Sequence, residues 1–447
     1  MSLPKSMNVE RASQPLRIAI AYSRSPFPMM RGDQLTVGHL LSYLSARGHQ
    51  VDLFTLATDG VMGESQKEWL ANACRQVRMY PHGKIAKIAG IVRGLFLGVP
   101  MQVGCFTSDK LIRDVRNAIR DGEYDLVYIY YIRSAEVFRG QIAFRKENRD
   151  KESTTVSILA MQLSQILNTR RMYENESHPL WRLVYLLELK LLRRYEARVW
   201  RRFNRVALIG HRDLEAIRAE CRRQSLEEIN NWIYSAHGTD VERFRSARSD
   251  EVVSGRIVFS GSMAYRPNVQ AVLWFTENCW PQIKRRYPSA EFVIQGRDPL
   301  PEVLELKKQP GITVTGTVAD VGAIIRSATV CVNPMQAAGG MQNKLIEYLA
   351  SNKAVVATSI ANEGIDAVPG KHLIIANSPD EFAAAVSTLL EDEARRDALG
   401  HAGRAFVCAN WTWEVHFAEL EREFYRAVRG SESVAVEIDG EASGMLA

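Results

Sequence analysis

Apolar runs that stop at a glycine or a loop alternate along this chain with stretches of helical period. Arg17 to Tyr22 (RIAIAY) is apolar enough for a strand buried on both faces. A loop with Pro26, Pro28 and Gly32 follows, then a helix around Leu35 to Arg47 closed by Gly48-His49, then a strand Val51 to Thr55. That order is a βαβ unit. Further strands are predicted at Tyr124 to Tyr131, Val156 to Ala160 and Arg205 to Ile209.

Two apolar stretches in this half are ambiguous. Trp181 to Phe203 predicts a long amphipathic helix with Leu183, Leu187, Leu191, Tyr195 and Val199 on one face, and from Arg182 to Arg205 it bears eight Lys or Arg and two acids. It reads as a domain helix with a solvated charged face, or as a face that touches anionic lipid. Ile85 to Val103 is apolar and glycine-broken, with Lys87 and Arg93 inside it. It is too short and too charged to span a bilayer, and reads as an interfacial helix or as a core helix leading into an acceptor cleft.

Ser246 to Gly255 is polar and irregular, a predicted linker, and a second α/β series begins at once. It runs through strand Arg256 to Ser260 with Gly261, helix Asn268 to Arg286, strand Glu291 to Gln295 with Gly296, and strand Ile312 to Thr315 with Gly316. Helix Val321 to Ser327, strand Thr329 to Asn333 and the stretch 339–358 (GGMQNKLIEYLASNKAVVAT) come next. Glu381 to Tyr425 is helical with a break near Asn410 to Trp413, and residues 1–15 and 430–447 read as disordered tails.

Composition bounds the class. The 447 residues, 46% hydrophobic and 24% charged, suit a soluble protein of two or three domains. Six scattered cysteines without a C-x-x-C pair predict reduced thiols, a cytoplasmic setting and no zinc site. The polar N-terminus reads as no signal peptide, and no uncharged apolar run is long enough to span a membrane. The net charge of +6 hides an asymmetry: residues 1–250 carry 39 Lys and Arg against 27 Asp and Glu, the remainder 18 against 24. A basic first half suits a phosphate-bearing or membrane-surface partner, and no nucleic-acid-binding signature accompanies it.

The chemistry concentrates where strands end in glycine beside a cation. Gly261 with Arg266, Gly296 with Arg297, and Gly340 with Lys344 let backbone amides and cations together hold a diphosphate without a fixed metal. For Arg266 and Arg297 singly, a solvated loop residue is the competing reading. Glu347 lies one turn beyond Lys344, where a carboxylate can take the two hydroxyls of a ribose. No P-loop, H-E-x-x-H or G-x-S-x-G motif occurs.

Phe259 to Asn268 (FSGSMAYRPN), Val293 to Arg297 (VIQGR), Val314 to Val318, Val332 to Pro334 and Gly340 to Thr358 together resemble the donor half of GT-B glycosyltransferases. More narrowly they are similar to the family 4-like bacterial sugar transferases of exopolysaccharide gene clusters. Phe27 to Asp33 resembles that group's first loop, His237 to Phe244 the stretch before its linker, and Trp411 and Trp413 the tryptophan before its last helix. The resemblance covers roughly residues 16 to 428.

It implies an α/β fold of two Rossmann-like, doubly wound domains facing a cleft. Residues 16–245 would form the acceptor domain and 255–412 the nucleotide-sugar domain, with a helix over 413–428 crossing back. It implies hexosyl transfer from a nucleotide diphosphate sugar to a glycan hydroxyl, with retention. The donor site would use Gly32, Gly261, Arg266, Gly296, Gly340, Gln342, Asn343 and Glu347, with Lys344 and Arg297 stabilising charge in the reaction and no cofactor or metal. Two positions depart from the family: Gly339 stands where the first acid of its E-x7-E motif falls, and Gln162 where relatives often place an Asp. These departures motivate the alternative of a non-catalytic sugar-nucleotide-binding protein. The basic half points to a lipid-linked acceptor and peripheral contact with the inner face of the cytoplasmic membrane.

Overall fold

A computed structural model describes residues 14–29, 31–58, 62–139, 155–176, 178–337 and 341–429. The chain divides into two compact units, one of Met1–Ala236 with Phe417–Ala447 and one of His237–His416.

The first unit holds seven parallel strands: β1 (Arg17–Tyr22), β2 (Gln50–Ala57), β3 (Gln76–Pro81), β4 (Leu126–Tyr130), β5 (Val156–Gln162), β6 (Arg205–Leu208) and β7 (Trp232–Tyr234). Their spatial order is β3-β2-β1-β4-β5-β6-β7, so the winding reverses between β1 and β4. Ile18, Ile20, Leu53, Val127, Ile129, Leu159 and Val206 are fully buried, as both faces of a parallel sheet are covered by helices. β3 and β7 were not predicted. Both are short edge strands whose residues are half polar or half exposed, so periodicity does not mark them.

The two ambiguous stretches resolve here. Lys84–Phe96 is a helix with Ile85 and Phe96 85% and 87% exposed, and with Ile88, Val92 and Leu95 also outward. This overturns the core-helix reading. Gly90 and Gly94 set the helix down on Gly104, where a Cβ on Gly90 would lie 2.2 Å from the Gly104 carbonyl oxygen. The close approach is made through glycines, so the larger apolar residues are left on the other side.

Pro179–Val199 is also helical, but its predicted apolar face is buried only from Leu189 onward. Leu180, Trp181, Leu183, Leu186 and Leu187, in its first half, are exposed. Glu188 joins the two helices, accepting bonds from the amides of Met101 (2.6 Å) and Gln102 (3.1 Å) in the turn that follows the first.

The last helix, Trp413–Val428, re-enters this unit from Phe417. Glu421 accepts a bond from Tyr43 Oη (2.7 Å), lies 3.0 Å from His49 Nε2 and pairs with Arg47, while Phe424 is fully buried against Tyr128.

The second unit holds β8 (Arg256–Ser260), β9 (Glu291–Gln295), β10 (Ile312–Gly316), β11 (Val330–Asn333), β12 (Val355–Ala357) and β13 (Ile374–Ile375), in the order β10-β9-β8-β11-β12-β13 and parallel throughout. The predicted helix Asn268 to Arg286 is two helices, Arg266–Asn278 and Trp280–Arg286, broken at Cys279 ahead of Pro281. The segment His237 to Phe244 belongs to this unit. Thr239 N donates to the Trp411 carbonyl (2.7 Å), and a Cβ on Gly238 would lie 2.3 Å from Trp413 N. Two motifs far apart in sequence thus meet through a position that only glycine fills.

Candidate functional site

In the second unit the winding reverses between β8 and β11, and the loops leaving their carboxyl ends are where ligands bind in such sheets. The turn after β8 is built by backbone: Gly261 N donates to Gln295 O (2.9 Å) and Met263 N to Arg297 O (2.9 Å). Both glycines are required by space. A Cβ on Gly296 would lie 1.8 Å from the Gly261 carbonyl oxygen, and one on Gly261 would lie 2.7 Å from Asn268 Nδ2 and 3.3 Å from Lys344 Cε. Gly261 also has a φ of +154°, which side chains disfavour.

Lys344 is buried among these groups. Its ammonium donates to Asn268 Oδ1, lies 3.7 Å from Met335 Sδ and sits 4.5 Å from the centre of the Phe259 ring. Asn268 is oriented by its own Nδ2, which donates to Ser262 O (3.0 Å). Burial pushes the Lys344 ammonium down to about 7, with the Glu347 carboxylate opposing the shift. Burial likewise raises the Glu347 carboxyl, against the pull of Arg243 and Lys344. The result is a desolvated cation with one neutral hydrogen-bond partner. An anion placed beside it would favour its charged form.

Lys344 and Glu347 ride on the helix Asn343–Ala350, whose N-cap is Gln342 and whose start no side chain caps. Asn343 is exposed and Gln342 nearly buried. Tyr348 pins this helix to the end of β8, accepting from Ser260 N (2.6 Å) and Ser260 Oγ (3.0 Å). Gly339 and Gly340 lie outside the described residues.

Gly261 and Gly296 thus build one turn, Lys344 packs against it, and Gln342, Asn343 and Glu347 belong to the helix, N-cap included, that carries Lys344. Arg297 follows Gly296 with its side chain exposed. Arg266 opens its helix but pairs with Glu302, so its charge is already partnered. Gly32 belongs to the first unit, at the start of the helix Gly32–Ala46, where a side chain would meet nothing within 4 Å. Asn268, Phe259 and Met335 hold Lys344 and were not singled out. Asn268 sits inside the FSGSMAYRPN motif, and its place two residues into a helix after a glycine turn is the signal that marks it. Asn333, fully buried at the end of β11, has neither side-chain polar atom partnered. Among the described residues no group of three His, Cys, Asp or Glu is arranged to hold a metal.

In the first unit Gln162 ends β5 in a left-handed conformation (φ +67°). It is 2% exposed, with its side-chain carbonyl unpartnered. An L-residue held there is strained, and the strain falls at a strand end of the kind that lines a site.

Residues 254–392 match the model of the family described as Glycosyl transferases group 1. Along 91% of its length the chain is 20% identical to an uncharacterised 44.6 kDa protein in the cps region of Klebsiella pneumoniae, covering 99% of it. Over 155 residues it is 32% identical to a GDP-mannose-dependent alpha-(1-6)-phosphatidylinositol monomannoside mannosyltransferase of Mycobacterium tuberculosis, covering 40% of that protein. Among solved structures, sucrose-phosphate synthase from Thermosynechococcus elongatus superposes with a TM-score of 0.60 at 18% identity, over 93% of this chain and all of that one. Anabaena HepE, solved with UDP and glucose, superposes with a TM-score of 0.58 at 14% identity, over 92% of this chain and 99% of that one. The two parallel sheets and these neighbours give the fold, and the family match covers the unit that carries Lys344. The chain is a GT-B glycosyltransferase, an enzyme of class EC 2.4 with a Glycosyl transferases group 1 domain over residues 254–392.

Proposed function

We propose that this enzyme moves a hexosyl group from a nucleotide diphosphate sugar to a hydroxyl of a lipid-linked glycan, with retention, in exopolysaccharide or cell-surface polysaccharide synthesis. The observation that carries the donor assignment is the buried Lys344 ammonium behind the Gly261–Gly296 turn. A donor diphosphate in this recess meets the amides at the start of the Asn343 helix, with Arg297 beside it and Glu347 at the ribose. The resemblance to the family adds Gly340 and Arg266 to this donor site. Charge that develops on the leaving diphosphate is offset by Lys344, Arg297 and these amides. The leaving group can then take the acceptor proton, and neither a metal nor a strong side-chain base is needed. Similar proteins support this reading: HepE has been solved with UDP-glucose, and the mycobacterial mannosyltransferase is GDP-mannose-dependent and acts on a phosphatidylinositol monomannoside.

The acceptor assignment rests on the first unit. Ile85, Ile88, Val92 and Phe96 are exposed beside Lys84 and Arg93, and Leu180, Trp181, Leu183, Leu186 and Leu187 are exposed beside Arg182. An apolar face rimmed by cations is what peripheral contact with an anionic membrane requires. No described helix is long and apolar enough to cross one. Calorimetry with UDP-, GDP- and dTDP-sugars tests the donor assignment. One class of nucleotide sugar binds and loses its affinity in K344A; failure of all three to bind the wild type removes the reading.

A further inference from the structure

The reversal point of the first sheet carries a cation cluster that the donor chemistry does not use. Arg24 follows β1 by two residues and Arg133 follows β4 by three, so both stand at the carboxyl ends of the two strands between which the winding reverses. Their guanidinium carbons lie 5.7 and 5.0 Å from the centre of one ring, Phe106, and Lys87 Nζ lies 5.9 Å from it. Arg133 also stacks on Tyr131 at 4.9 Å. All three cations are half-buried, and so is the ring.

Three like charges around one ring repel one another, and the local carboxylates offset them only in part. Asp33 pairs with Arg24 (3.0 Å) and accepts from Tyr22 Oη. Glu188 is committed to the amides of Met101 and Gln102, and Glu136 to Tyr195, Arg202 and Arg139. Lys87 and Arg133 have no ion pair among the described residues, and Arg133 Nε is buried without a partner. An anion of two or more charges is the missing component.

The surroundings say what the anion is attached to. Lys87 shares the inward face of its helix with Ile91 and Gly94, while Ile85, Ile88, Val92 and Phe96 of that same helix are exposed on the other side. The cluster thus sits at the inner edge of an apolar strip. We propose that Arg24, Lys87 and Arg133, stacked on Phe106, bind the diphosphate of a lipid diphosphate, with its hydrocarbon chain lying along the apolar strip. This deepens the acceptor assignment above and rests on it.

Calorimetric titration with farnesyl diphosphate, inorganic pyrophosphate and farnesol tests the site. Wild type binds farnesyl diphosphate at least tenfold tighter than either pyrophosphate or farnesol. R133Q and K87Q each weaken farnesyl diphosphate by about tenfold, the scale of one lost charged hydrogen bond. R133K recovers part of the loss, which separates charge from folding. Unchanged affinity in both Gln variants overturns the site, and so does farnesol binding as tightly as its diphosphate. Binding to phosphatidylglycerol vesicles that falls in R133Q as steeply as farnesyl diphosphate binding would assign the cluster to a bilayer headgroup and overturn the ligand. Nucleotide-sugar binding measured on the same variants stays at the wild-type level. Its absence in wild type would remove the donor reading while leaving the diphosphate titration interpretable.

Discussion

The two units place cations at equivalent points, the reversal of a parallel sheet, and treat them in opposite ways. In the second unit one ammonium, Lys344, is sunk behind a glycine turn, held by Asn268 and pushed down to about 7. In the first, three partly buried cations stand around Phe106, two of them guanidinium groups. A buried lone charge is costly in the empty site and gains most when an anion arrives, which suits charge that grows during a reaction. Guanidinium groups are more weakly hydrated than an ammonium, so they lose less on partial burial and favour holding an anion whose charge does not change. On the functions proposed above, the Lys344 recess would serve chemistry and the Phe106 cluster would serve grip.

The largest expected effect tests the first half of that contrast. K344A should lower kcat by about 10²-fold or more, the scale of one lost electrostatic donor, measured in a transfer assay with the donor found by calorimetry. Unchanged turnover would remove Lys344 from the chemistry. Glycine comes next. G296A drives a Cβ into the Gly261 carbonyl and should cost about 1–3 kcal/mol of stability together with donor affinity, read by thermal denaturation and calorimetry.

A charge on the apolar strip tests the membrane face. F96E should abolish flotation with anionic liposomes while leaving nucleotide-sugar binding intact, and wild-type flotation should weaken with salt. Equal flotation of F96E and wild type would sink that assignment.

The smallest effect is in pH. The Lys344 ammonium is charged below about 7 and neutral above it, so donor affinity should fall as pH rises from 6 to 8. Farnesyl diphosphate binding should show no matching step. The unliganded protein should meanwhile gain a little stability from this group as pH rises from about 7 toward 10.5, because the unfolded chain keeps the proton there. A pH-independent donor affinity would mean that Lys344 does not meet the diphosphate.

The long strands were legible because a strand buried on both faces needs an unbroken apolar run, as in β1, β4, β8 and β11. Edge strands β3 and β7 need no such run and left no signal. Lys344 and Glu347 stood out by their place after paired glycines. Asn268 did not, since an asparagine near a helix start is ordinary until its Oδ1 is found on an ammonium from 76 residues further on.

By itself the sequence determined that this chain forms two doubly wound halves, and it singled out Lys344 and Glu347 by their place after paired glycines. It also left two apolar stretches with two readings each. Only the tertiary structure chose between them: glycines at 90, 94 and 104 bring backbones together and turn Ile85 and Phe96 outward. Only it gathered Arg24, Lys87 and Arg133, far apart in sequence, around Phe106. Local pattern records which side of an element is apolar, but what that side meets depends on distant residues that packing brings close.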